Sequence, residues 1–179
     1  FVTNSTGTTV RSCEVSSGVF SNCTDTGADF TNPFGITLNG AGTRAYITNN
    51  GATTVSLCEV SGGVLSNCMR TGSNFNGPIR IILNAAETRA YITNFSSNNV
   101  TKCDIISTDG TLTNCADAHG DGFVGPSGIA LINNDTIALV NNYNLGTVRS
   151  CAVNSSTGNF DTCFDAGTGF SSPAGIIVQ

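Results

Sequence analysis

Charge is the first thing this sequence lacks. Only 11% of its residues are Asp, Glu, Lys or Arg, Lys102 is its sole lysine and His119 its sole histidine. The formal net charge is −5 with no basic cluster, so nothing is available to neutralise a phosphate backbone, and a nucleic-acid partner is excluded. Tryptophan is absent, and no apolar run approaches the roughly 18 residues needed to cross a bilayer as a helix. No membrane insertion is expected. The cysteines are ten or twelve residues apart, without the close pairs of a zinc site. No convergent nucleophile, base and carboxylate set stands out either. The expectation from these absences is a protein with no catalytic residues, no cofactor and no enzymatic activity. The chain opens at Phe1 rather than Met and reads as a processed mature protein or an excerpt of a longer one.

What the sequence has instead is Gly, Asn, Ser and Thr, and a repeat. Residues 46–90 read YITNNGATTVSLCEVSGGVLSNCMRTGSNFNGPIRIILNAAETRA, and residues 1–45 repeat them nearly word for word. Residues 91–138 repeat them with small insertions, and residues 139–179 repeat all but the last piece. Self-similarity at about 45 residues marks propellers, solenoids or arrays. Each unit holds four short strand signals divided by turn signals; in 46–90 these are Tyr46–Thr48, Thr53–Val60, Val64–Met69 and Ile79–Leu83. Four strands in that length make one propeller blade. The fold expected is an all-β propeller of four four-stranded repeats forming a single domain over 1–179.

Eight cysteines, two per repeat, signal an oxidising, extracellular or cell-surface setting. The step from the opening residue (Phe1, Tyr46, Tyr91, Leu139) to the first cysteine is twelve in every repeat. The cysteine pair is ten apart in two repeats and twelve apart in the other two. A hairpin lengthened by one residue per strand keeps both side chains on one face, as a cross-strand bridge requires. The expected pairs are therefore Cys13–Cys23, Cys58–Cys68, Cys103–Cys115 and Cys151–Cys163.

The two ends of the sequence complement each other. The first repeat begins with the strand that opens a unit, and Pro173–Val178 is the apolar strand that follows the proline of each unit. That strand either closes the array beside Phe1–Thr26 or completes the blade of a neighbouring molecule. Both readings stay open on sequence alone.

With Tyr46-Ile47-Thr48-Asn49, Pro78, Ile82-Leu83-Asn84 and Thr88-Arg89-Ala90 in view, the unit resembles the YVTN-type repeat of surface-layer and lactonase-like β-propellers. Phe1-Val2-Thr3-Asn4 and Tyr91-Ile92-Thr93-Asn94 match equally well, and Leu139-Val140-Asn141-Asn142 more loosely. The resemblance covers the whole chain and implies a propeller. It leaves function open, because such propellers include enzymes, binding modules and structural proteins.

Candidate sites are few. Asp117, His119 and Asp121 share the one irregular Gly-rich loop, which holds a cation such as Ca²⁺, supplies a general base or, as the plainest reading with no metal, is simply solvated. Asp25, Asp29, Asp161 and Asp165 lie near the third-strand loops without a histidine partner. The apolar strands Phe34–Leu38, Ile79–Leu83, Ile129–Ile132 and Ala174–Val178 read as innermost, buried strands or as the lining of a channel. Asn-X-Ser/Thr acceptors for glycan are Asn4, Asn22, Asn94, Asn99, Asn134 and Asn154, no more than chance supplies.

The sequence reading is thus a non-enzymatic secreted structural and interaction protein, a subunit of an extracellular surface assembly or filament. Its partners would be further copies of itself or another extracellular protein or glycan. A carbohydrate- or protein-binding adhesin module is the alternative, and a lactonase-like hydrolase, implied by resemblance alone, is a further one. A small propeller buries a limited core, and each disulfide adds about 2–4 kcal/mol. Resistance to heat and protease should therefore collapse on reduction, as melting curves with and without a thiol reductant will show.

Overall fold

The computed structural model describes residues 1–178. Among them are fifteen β-strands, one 3₁₀ turn at Asn50–Ala52 and no helix long and apolar enough to cross a membrane. The strands form four antiparallel sheets. The first is β1 (Val2–Thr3), β2 (Val10–Ser16) and β3 (Val19–Thr26). The second is β4 (Pro33–Leu38), β5 (Arg44–Asn49), β6 (Thr54–Ser61) and β7 (Val64–Thr71). The third is β8 (Pro78–Leu83), β9 (Arg89–Asn94), β10 (Asn99–Ile105) and β11 (Leu112–Asp117). The fourth is β12 (Pro126–Ile132), β13 (Ile137–Asn142), β14 (Thr147–Val153) and β15 (Phe160–Thr168). This is the propeller read from the repeat, with one blade per sheet.

In each four-stranded sheet the strand after the proline pairs with the YITN-type strand that follows it: Ile36 faces Ile47, Ile81 faces Ile92 and Ile129 faces Val140. A blade thus takes its innermost strand from the end of the preceding sequence repeat. Residues 173–178 carry the same apolar pattern but form no strand. They lie beside β12, where Ser127 Oγ donates to the Pro173 carbonyl at 2.6 Å, and Ile177 is 90% exposed. Within one chain, then, the array is not closed by this segment.

Each cysteine pair bridges the outer hairpin of its sheet, with Cα atoms 4.1 Å apart. The register shifts at every one of these bridges. In three hairpins an Asn with positive φ precedes the second cysteine: Asn22, Asn67 and Asn114. Asn tolerates that left-handed backbone, as a bulge requires. Its amide donates to the carboxylate across the hairpin, to Glu14, Glu59 and Asp104 respectively. Four disulfides place the chain in an oxidising compartment, extracellular or periplasmic.

Burial lies between sheets. Three apolar clusters fill the three gaps between successive blades. Tyr46, Val55 and Leu57 of the second sheet meet Ala90, Ile92, Leu112 and the Cys103–Cys115 bridge of the third. Tyr91 and Val100 of the third meet Ala138, Val140 and Phe160 of the fourth, with Tyr91 and Phe160 stacked 5.5 Å apart. The two phenols reach across: Tyr46 Oη donates to the Gly110 carbonyl at 2.8 Å, and Tyr91 Oη to the Gly158 carbonyl at 3.0 Å. At Gly110 and Gly158, both with positive φ, a Cβ would strike those hydroxyls, so only glycine fits. The Arg44 and Arg89 guanidiniums donate to carbonyls of the same loops, at Thr108, Ser155 and Ser156.

Burial pushes both phenols above the ordinary tyrosine range. A pKa higher in the folded state than in the unfolded one gives stability that is full below the unfolded value of about 10 and is lost as pH rises through the folded value. Urea midpoints measured from neutral to strongly alkaline pH should fall above about pH 10. In a Tyr46→Phe, Tyr91→Phe variant the midpoints start lower and fall less.

Candidate functional site

The geometry of a site follows from buried asparagines. The last residue of each full YITN-type strand (Asn49, Asn94, Asn142) is at most 1% exposed. Each carboxamide oxygen accepts the backbone N–H of a residue in the loop leading to the inner strand: Thr31, Asn76 and Val124. Each carboxamide nitrogen donates to the hydroxyl at the start of the third strand: Ser56, Thr101 and Thr147. One side chain thereby ties the loop entering its blade to the neighbouring strand of the same blade. Such a group is itself paired and fixes loop and strand at once.

The loops so held, and the first residues of the inner strands, border a cavity of about 350 Å³ at the channel mouth. Phe34, Ile79, Ser127 and Ala174 follow the four prolines; Asn50, Phe95 and Tyr143 follow the three buried asparagines. Phe95 and Tyr143 meet edge to face with centroids 5.8 Å apart, and Tyr143 and Phe34 are each more than a third exposed. Below the mouth, Ile36, Arg80, Ile82, Ile129 and Ile176 line the channel itself. Arg80 is the one charged residue of the inner strands; its aligned positions are Gly35, Gly128 and Gly175. A Cβ on Gly175 would lie 3.8 Å from Arg80 Nη2, so the guanidinium extends across the channel. Among the described residues no carboxylate pairs with it.

The site is therefore apolar and aromatic, with a few polar groups at its rim and one free cation below. Neither the aromatic mouth nor Arg80 was anticipated. The available signal was alignment of the repeats against each other. Position after position agrees, whereas the residue after the YITN asparagine runs Ser5, Asn50, Phe95, Tyr143, and the second after the proline runs Gly35, Arg80, Gly128, Gly175.

The anticipated residues lie elsewhere. Asp117 accepts from the His119 backbone N–H and from Asn99, while Asp121 and Asp165 both pair with Arg149, at 2.7 and 3.1 Å. The Asp117, His119 and Asp121 side chains are not brought into one ligand cluster. Asp25 pairs with Arg11 at 3.1 Å, Asp161 accepts from Asn154, and Asp29 borders a separate surface cavity with Met69 and Arg70. The Arg11–Asp25 pair, exposed on both sides, contributes little to stability. Of the glycan acceptors, Asn94 is fully buried with its nitrogen given to Thr101, which removes it from the acceptor set of the folded chain. Asn22 and Asn134 are exposed; Asn4, Asn99 and Asn154 are half-buried.

No protein-family model and no curated protein sequence matches the chain. Solved structures do. A protein from Bacteroides fragilis named as a 6-phosphogluconolactonase is 18% identical, with a TM-score of 0.67 over 86% of this chain and 43% of that one. The periplasmic gluconolactonase of Pseudomonas aeruginosa is 18% identical, with a TM-score of 0.63 over 79% of this chain and 41% of that one. An auxiliary nutrient binding protein from Bacteroides ovatus is 14% identical, with a TM-score of 0.64 over 85% and 36%. The chain spans less than half the length of each. At these identities the likeness shows the β-propeller fold. It also corrects the expectation of a protein without enzymatic activity: two of these three structures are named as lactonases, so the absence of a recognisable catalytic motif does not place the fold outside enzymes.

Replacing Asn94 by Ala leaves the Asn76 N–H without its partner, while the Thr101 hydroxyl keeps only the Asn74 carbonyl. An unsatisfied buried group costs about 1–3 kcal/mol. The variant should lose stability in that range by urea denaturation, with faster proteolysis in the loop at residues 73–77.

Proposed function

We propose that this chain is a saccharide-binding propeller of an extracellular or periplasmic surface, built on a YVTN-type repeat. The observation that carries the reading is the channel mouth, where Phe34, Phe95 and Tyr143 present aromatic faces beside Asn50, Ser96 and Ser127. A pyranose has an apolar C–H face and a hydroxylated rim. It matches a cavity walled by aromatic rings, with hydroxyls and amides at the edge to fix orientation. Both loops that supply the rings are pinned by buried asparagines, so binding would order little that is not already ordered. The nutrient-binding neighbour supports this reading at the level of fold.

A second reading shares the cavity. A sugar lactone would enter as a saccharide does, and Arg80 in the channel would stabilise the oxyanion that develops when water adds to the lactone carbonyl, before the ring C–O bond breaks to give the hydroxy acid. The lactonase-named neighbours favour it.

One experiment covers both. The purified, non-reduced protein is screened against a glycan array and by ligand-observed NMR against hexoses, hexonates and an aldonolactone, with lactone opening followed by pH-stat. Saccharide binding weakened about tenfold or more by Phe95→Ala or Tyr143→Ala supports the first reading; a tenfold loss is about 1.4 kcal/mol. Lactone opening above the spontaneous rate, abolished by Arg80→Gly, supports the second. Neither binding nor turnover would reject both.

A further inference from the structure

Each of the three internal gaps between blades is filled the same way. On the side facing the preceding blade, a sheet buries the second residue of its YITN-type motif and, in its outermost hairpin, the residue three before the second cysteine. These are Ile47 and Leu65, Ile92 and Leu112, and Val140 and Phe160, none more than 3% exposed. In the first sheet the same two positions are Val2 and Phe20, and they are 43% and 63% exposed. On the side facing the following blade, Tyr46 with Val55 and Tyr91 with Val100 are buried, whereas their counterparts Leu139 and Val148 in the fourth sheet are only half-buried. Three loop phenylalanines cap the internal gaps (Phe30, Phe75, Phe123), and the fourth, Phe170, is half exposed.

The two uncovered faces are thus the two halves of a contact this sequence already makes three times. The inner edge shows the same complementarity. Among the described residues β1 pairs only with β2, and residues 173–178 pair with nothing. Aligned on the internal sheets, Ile176 would face Val2 as Ile36 faces Ile47 and Ile81 faces Ile92. A buried orphan marks the same place. The Thr3 and Thr48 hydroxyls each donate to the carbonyl of the second residue of the next inner strand, Phe34 and Ile79. Their counterpart is Asn141, 2% exposed, whose carboxamide nitrogen has no partner. Its acceptor by the same rule is the Ala174 carbonyl, once residues 173–178 take up a regular inner-strand position.

Hairpin lengths say which partner fits. The two long outer hairpins, spanning Cys103–Cys115 and Cys151–Cys163, are each held by the Arg and Tyr of the preceding blade. The fourth sheet has Ile137 and Leu139 in place of that Arg and Tyr. It therefore suits a short hairpin, and the first sheet has one, between Cys13 and Cys23.

We propose that the face of the fourth sheet, with residues 173–178, docks on the first sheet of a second copy of this chain. The strand augments the free edge of β1, Leu139, Val148 and Phe170 cover Val2 and Phe20, and the contact repeats the internal blade gap between molecules. Because head and tail are different surfaces, the association is head to tail, and it closes into a ring or runs on as a fibre according to the rotation per copy.

The test uses two variants of the non-reduced 179-residue protein, altered at Phe20 and Ile177, which the free chain exposes, and at the half-buried Ile176. Phe20→Glu spoils the head. Ile176→Pro with Ile177→Pro spoils the tail, since one of two successive strand N–H groups must face the partner. Light scattering should give the wild type two or more chain masses and each variant one. Unchanged near-ultraviolet circular dichroism would show both variants folded. An equal mixture of the two should restore a two-chain particle, because each keeps the surface the other has lost. A wild-type protein of one chain mass would overturn the proposal, as would folded variants that still assemble, or a mixture that stays at one.

Discussion

A sheet that is apolar on both faces cannot stand alone, and that constraint governs the rest of this structure. Along β5, Ala45 and Ile47 belong to the cluster shared with the preceding blade, while Tyr46 belongs to the cluster shared with the following one. Successive strand residues point to opposite faces, so one short motif serves two interfaces. Each blade is therefore stable only between neighbours, as in repeat arrays, where energy resides in nearest-neighbour contacts. The disulfides tie the largely exposed outermost strand of each sheet to the strand beside it, whose cysteine is buried in the second, third and fourth sheets, and leave the inner edge without covalent constraint.

The division between fixed and variable positions follows from the same logic. Asn49, Asn94 and Asn142 recur because each joins a loop N–H to a strand hydroxyl from a buried position, and any change leaves the N–H unpaired. The next residue points into the channel mouth, where nothing in the fold dictates its identity, and there Asn50, Phe95 and Tyr143 differ. Gly35, Gly128 and Gly175 against Arg80 is the same situation one layer down. Three residues without side chains give the guanidinium room, so the channel can carry a charge that a symmetric ring of four would not tolerate.

This is also why the fold was legible in the sequence and the site was not. Strand periodicity, turn residues and cysteine spacing are local signals repeated four times, and each repeat corroborates the others. The pairing of Cys103 with Cys115 across a lengthened hairpin could be argued from parity alone. The mouth, in contrast, is assembled from residues far apart in the chain, Phe34 and Tyr143 among them, that only the array brings together. Asp117, His119 and Asp121 stand out in the sequence because they interrupt the repeat. That irregularity has a structural cause: Asp117 turns its own loop back through the His119 N–H, and Asp121 anchors Arg149. Differences within an otherwise regular repeat were the better guide than departures from its length.

The proposed binding and the proposed assembly would meet on the inner strands. Residues 173–178 contribute Ala174 to the mouth and Ile176 to the channel wall beside Arg80, yet in the isolated chain they are held chiefly by packing and by the bond from Ser127 to Pro173. Seating that segment against β1 of another copy would fix its backbone through a ladder of hydrogen bonds and supply Asn141 with its acceptor. The wall of the channel would then be rigid on all four sides. A ligand that needs an ordered wall favours the seated segment, and by linkage the seated segment favours the ligand to the same degree. The proposed binding and the proposed assembly would in that sense be one equilibrium.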